Sequence, residues 1–417
     1  MYQGLSLEQA PPLEIPFRFF LTAPLFLAGA GLLLAWLGAD LVLFPGAPST
    51  IALTHSVTLG WLAMIMLGAF YQMIPVMIGG SVPWLAASRW VHGMLVLGIL
   101  GFVLFFFLLQ PALLLVPVLL LGLALGIFLL QCGIALLRIT EDRPTSQAMR
   151  LSLASLAGVL LLGVAGLGAW GQWWNLPWPS ESLRGIHLLW GVFGWVGLLI
   201  LGVSLHLIPM FYVTPGFAAE DSQRMLRLIS ISLVLVPLGL LMNWPLGLQL
   251  LGAAFGLAGW VLYLVRIRQQ FQARRRKRPD PTVTLWQTGL TWLALGLAAG
   301  LGGWVADLDQ LWFFFALCLL LGFAGNITLG MLFKISSFLV WFHRFSSRIG
   351  EAGVPMLADL LPEEPQTQLV WGFNLCLAAL GLGVLFTLDL AVRLGGLGLT
   401  AVGLRLFWLL WGLARAR

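Results

Sequence analysis

The sequence predicts an all-α integral membrane protein of about twelve transmembrane helices, arranged as three four-helix groups with pseudo-threefold symmetry. Three observations lead there. Hydrophobic residues make up 60% of the chain and charged residues 9%, with a mean hydropathy of +0.97, far from a soluble globular composition. The apolar runs are roughly 18 to 30 residues long, enough to cross a hydrocarbon core of about 30 Å as helices. One motif occurs three times. Gly60-Trp61 is followed by Gly68 and Pro75, Gly194-Trp195 by Gly202 and Pro209, and Gly322-Phe323 by Gly330 and Ser337. A repeat of this kind lets corresponding positions be compared within one chain.

In chain order, the first group has apolar runs over 17–43, 51–78, 91–109 and 112–138. The second has runs over 149–170, 185–212, 226–243 and 246–266, and the third over 283–304, 310–341, 367–388 and 391–414. The three repeats are therefore 17–138, 149–266 and 283–414, and the motif always falls on the second helix of its group. Internal Pro and Gly are frequent, as membrane helices tolerate. Connections are short apart from 267–282 and 342–366, so 1–417 reads as one polytopic domain.

The basic residues give the orientation. If both termini are cytoplasmic, nearly all Lys and Arg outside the helix interiors fall on the cytoplasmic side, with Arg184 and Arg393 as exceptions. The net charge of +6 is then a topology signal, and the run Arg274-Arg275-Arg276-Lys277-Arg278 is an anchor at the membrane surface rather than a nucleic-acid site. Met1–Pro16 is polar and carries Glu8 and Glu14, so no cleavable signal peptide is expected, and the location is the cytoplasmic (inner) membrane. Cys132, Cys318 and Cys376 stand singly in apolar runs, which suggests neither disulfides nor a thiolate metal site.

Histidine is scarce, with five in the chain. His92 and His343 fall at helix ends; His55, His187 and His206 fall within helices, where an ionisable side chain points to function. His55 lies thirteen residues before Gly68, and His187 fifteen before Gly202. At about 100° per residue this offset turns the two roughly 200° apart on their helices, as two ligands reaching one cofactor between neighbouring helices require. The third group carries Leu317 and Phe315 at these positions. Two neutral imidazoles among Leu, Val, Phe and Trp suit a low-spin haem b, whose iron takes two axial nitrogens; hydrogen bonding between helices is the alternative. Arg184, one turn outward of His187, either pairs with a haem propionate or is an ordinary interfacial arginine. Asp40 either accepts from His55 and fixes its tautomer or is an ordinary interface residue.

Nineteen residues separate His206 from His187, about 28 Å along an α-helix, so it belongs to a different site. In repeat register it matches Gln72 and Lys334, and the three either line a polar pathway or bond to neighbouring helices. Met73 with Met77, and His206 with Met210, each place two soft donors on one helix face. That spacing suits Cu(I) transport or delivery, or plain core packing.

Twelve helices in three groups of four, with His55-x4-Gly60-Trp61 on the second and a matching segment on the sixth, resemble the haem–copper oxidase subunit I superfamily. The resemblance implies that His55 binds a low-spin haem. It also marks departures: the tenth helix has no His pair at 315–317, and the seventh run contains no His at all, so neither a copper and high-spin haem centre nor terminal oxidase activity is expected. The expectation is an oxidoreductase-like haem protein acting in electron transfer, in gas or nitric oxide response as NnrS-type proteins do, or in redox sensing. Its expected partners are the lipid bilayer and a quinol or redox protein.

Overall fold

A computed structural model describes residues 9–42, 46–140, 143–275, 280–351 and 353–416. Of the sequence features above, Glu8, Arg276, Lys277, Arg278 and Arg417 lie outside the described residues. The described chain is helical, with no strand among the described residues. Twelve helices are long and apolar enough to cross a membrane: Glu14–Leu41, Pro48–Ile78, Leu85–Leu108, Pro111–Leu137, Pro144–Trp170, Ser180–Tyr212, Ala219–Leu241, Leu246–Gln272, Pro281–Ala306, Asp309–Arg348, Glu363–Leu385 and Asp389–Ala414. The chain is an all-α, multi-pass membrane protein.

Most helices begin up to two turns before the apolar run that announced them, because the first turn needs no apolar residues. Pro48, Pro111, Pro144 and Pro281 open their helices, where a missing N–H costs nothing and the fixed φ suits the first turn. Asp280 caps the ninth helix by accepting from the Thr282 backbone N–H at 2.9 Å. The third helix starts at Leu85 after Trp84, whose φ of 47° ends the preceding turn.

The described residues form two compact units, one including 73–101 and 110–275, the other 10–42, 46–72, 102–109, 280–351 and 353–416. In the first, the seventh and eighth helices pack through small residues. A Cβ at Gly252, Gly256 or Gly259 would stand 3.1 Å from Leu235, 2.6 Å from Ser232 and 2.7 Å from Ile229, the close approach that replaces hydrophobic drive between helices in lipid. In the second unit the first and twelfth helices meet backbone to backbone: a Cβ at Gly396 would lie 2.6 Å from Ala35 N, and one at Gly403 2.7 Å from Pro24 O.

The repeat is carried in the packing as well as the sequence. In the three motif helices, 94%, 56% and 83% of the most apolar stretch is buried, against 22–50% in the others, so these are the inner helices. Each contains an eight-residue π-helical segment: Ser56–Ala63, Trp190–Gly197 and Cys318–Gly325. All three begin four residues before the motif glycine and end three after it. That glycine seats the preceding helix of its group: a Cβ at Gly60, Gly194 or Gly322 would fall 2.6 Å from Phe26 Cβ, 2.5 Å from Ser155 Oγ and 2.6 Å from Trp292 Cβ. The second motif glycine repeats the contact, with Gly68 on Phe19, Gly202 on Ala148 and Gly330 on Leu285. Phe19, Ala148 and Leu285 each precede their partner in the first contact by seven residues.

Candidate functional site

His55 is the last α-helical residue before the first π segment. Its Nδ1 lies 2.8 Å from the Ile51 carbonyl oxygen. A carbonyl only accepts, so Nδ1 carries the proton and the lone pair of the neutral ring rests on Nε2. The role offered to Asp40 by the sequence, fixing this tautomer, is filled by a backbone group one turn away; Asp40 itself is exposed. Local hydrogen bonds hold the region. Thr50 Oγ1 donates to Leu41 O at 2.6 Å, tying this helix to the end of the first, and Ser56 Oγ donates to Ala52 O at 2.9 Å. One face of the His55 ring meets Phe102, with centroids 4.7 Å apart, and Phe102 continues into Phe106 at 4.8 Å. The result is an imidazole of set tautomer against an aromatic wall.

His187 is half-buried in the sixth helix, three residues before the second π segment. Gly163 of the fifth helix makes room for its ring: a Cβ there would touch His187 Cε1 at 3.5 Å. Trp190, the first residue of that π segment, is anchored by its indole N–H donating to Leu233 O at 2.9 Å. Arg184 is exposed one turn outward. His55 belongs to one compact unit and His187 to the other.

The matched polar positions reveal partners that the sequence did not name. Lys334 Nζ donates to Asp280 Oδ2 at 2.7 Å, and the other carboxylate oxygen takes the Thr282 backbone N–H at 2.9 Å and its hydroxyl at 2.7 Å. Burial pushes the Asp280 carboxyl up, but the Lys334 ammonium and the bonds from Lys334 and Thr282 outweigh it and leave it below the ordinary carboxylate value. Asp280 stands twelve residues before Trp292, the same register in which Arg143 precedes Ser155. Lys334 of the tenth helix is thus paired with Asp280 at the start of the ninth. In the first group Gln72 is buried, and its Oε1 has no hydrogen-bond partner among the described residues.

Met73 and Met77 are buried, and His206 and Met210 half-buried, all within the first unit. Met77 lies in a short π turn, Ile74–Ile78, that opens around Pro75. No group of three or more His, Cys, Asp or Glu residues able to hold a metal ion occurs among the described residues.

A buried network escaped the sequence reading. Asn326 Oδ1 accepts from Thr288 Oγ1 at 3.1 Å and from Asn374 Nδ2 at 2.9 Å, while Asn374 Oδ1 accepts from Trp292 Nε1 at 3.3 Å. It joins the ninth, tenth and eleventh helices immediately after the third π segment. The signal available was the presence of Asn326 and Asn374 in apolar runs. Compared with models of known protein families and with curated proteins, the sequence matches none.

Proposed function

We propose that this protein binds haem b through His55 and acts in membrane electron transfer. The supporting observation is the Nδ1 hydrogen bond of His55 to Ile51 O at 2.8 Å, which presents Nε2 as the ligating nitrogen in the manner of metal-bound histidines. The donor set fits the group. A porphyrin supplies four of its iron's ligands itself, so one or two imidazoles in apolar surroundings suffice, and Phe102 and Phe106, tilted to one another, give an aromatic surface beside His55. A bare ion asks more of the protein, and no cluster of three His, Cys, Asp or Glu lies among the described residues. When bound, haem supplies a one-electron couple. The chain's own contribution would be to hold one imidazole in a fixed tautomer beside aromatic side chains.

By its sequence register His187 would supply the second ligand, and Arg184 the cation for a propionate. The electron partners are a quinol or a redox protein. The distribution of Lys and Arg supports cytoplasmic termini and an inner-membrane location. The test is haem content by pyridine haemochrome in purified wild type, His55→Ala and His187→Ala, with copper measured on the same samples. Haem in the wild type, lost in His55→Ala, supports the reading. Haem retained in His55→Ala removes it, and copper in place of haem, lost in Met77→Ala or His206→Ala, shifts the function to copper transport or delivery.

A further inference from the structure

The π segments have a cause in the packing. Between the two motif glycines the inner helix advances eight residues, Gly60 to Gly68, while the helix it packs on advances seven, Phe26 to Phe19. The same eight-to-seven ratio holds from Gly194 to Gly202 on Ser155 and Ala148, and from Gly322 to Gly330 on Trp292 and Leu285. Two α-helices rising by equal steps of about 1.5 Å would lose register by one residue over that interval. A π turn, closed by i→i+5 bonds, takes up the extra residue. The clamps therefore hold the π turn in place, and it is held three times.

The extra residue has a consequence for whatever precedes it. Each residue inserted into a helix turns the part before it by about 100° relative to the part after. His55 immediately precedes the first π segment, and the lower part of that helix is fixed by Gly68 on Phe19.

We propose that the π segment Ser56–Ala63, locked by Phe26 seated on Gly60, is the device that aims His55 at its ligand, with Gly60 and Phe26 as positioning residues. This rests on the reading of His55 as an axial ligand. The third group serves as an internal control. Gly322 is seated on Trp292 with the same 2.6 Å closeness and the same π segment, yet carries no histidine before it. Purely structural damage should be alike in Gly60→Ala and Gly322→Ala; aiming of a ligand belongs to the first alone.

The experiment is low-temperature EPR and visible spectroscopy of purified, haem-loaded wild type, Gly60→Ala, Gly322→Ala and Phe26→Ala, with thermal unfolding of each. Phe26→Ala loosens the clamp without adding atoms, which keeps the idea testable should Gly60→Ala not fold. Gly60→Ala and Phe26→Ala are expected to shift the g-values or pass into the high-spin form, and Gly322→Ala to lose thermal stability with unchanged spectra. Wild-type spectra in Gly60→Ala or Phe26→Ala overturn the inference while leaving haem binding intact, as does a Gly322→Ala spectrum altered to the same extent. Wild type without haem overturns the binding itself, and the aiming role with it.

Discussion

Replacing Asp280 with Ala should destabilise the protein by about 2 to 3 kcal/mol, and the figure follows from what the carboxylate holds. One oxygen caps the ninth helix at the Thr282 N–H, and loss of such a cap costs about 1 kcal/mol. The other takes the Lys334 ammonium at 2.7 Å, with the two side chains 28% and 27% exposed. A charged hydrogen bond contributes about 1.5 to 3 kcal/mol, and partial exposure moves this pair toward the lower end, as solvent screening weakens exposed pairs to about 1 kcal/mol or less. Thermal and denaturant unfolding in detergent would measure the loss, and a double-mutant cycle with Lys334→Met would isolate the pair, with an expected coupling of about 1 kcal/mol. The carboxyl sits below its ordinary value when folded, so its contribution is present above about pH 4 and disappears as pH falls through the lowered folded value. Asp280→Asn should therefore flatten the acid limb of the stability curve. A cost below about 0.5 kcal/mol, the range of ordinary surface changes, or strict additivity with Lys334→Met, would refute the reasoning.

Further outcomes follow from the same contacts. Asn326→Leu should lower stability by about 1 to 2 kcal/mol by stripping Thr288 and Asn374 of a shared acceptor within a buried network; unfolding at the wild-type temperature would contradict this. Gly256→Val should cost about 1 to 3 kcal/mol by overpacking against Ser232, whereas Gly126→Ala, with nothing within 4 Å of the new Cβ, should stay within about 0.5 kcal/mol; equal effects in paired melts would count against the packing account. Gln131→Leu removes the donor to the Pro83 and Trp84 carbonyls, at 3.0 and 2.8 Å, and should speed proteolysis in the turn over residues 79–84; an unchanged cleavage pattern would refute that tether.

The twelve helices were legible because composition and run length alone decide them in a membrane, and the repeat was legible because glycine contacts leave fixed spacings. The π segments were not. Their detection from sequence would need an apolar stripe whose phase slips, and Ser56–Ala63, Trp190–Gly197 and Cys318–Gly325 are apolar nearly all round. They do carry an indirect trace in the eight-to-seven spacing of Gly60 and Gly68 against Phe26 and Phe19, which becomes readable only once the partners are known. The match of Gln72, His206 and Lys334 was visible by register, but the partner of Lys334 lies 54 residues away at Asp280. No local pattern links the two. Of the two roles open to Asp40, fixing the tautomer of His55 is filled instead by the backbone carbonyl of Ile51, which a sequence does not display.

Haem binding at His55 is the central claim, and the dithionite-reduced visible spectrum of wild type purified from haem-replete cells tests it most directly. A sharp Soret band with a narrow α band, both abolished in folded His55→Ala, is the predicted result. A featureless wild-type spectrum, or bands that persist unchanged in His55→Ala, would contradict it.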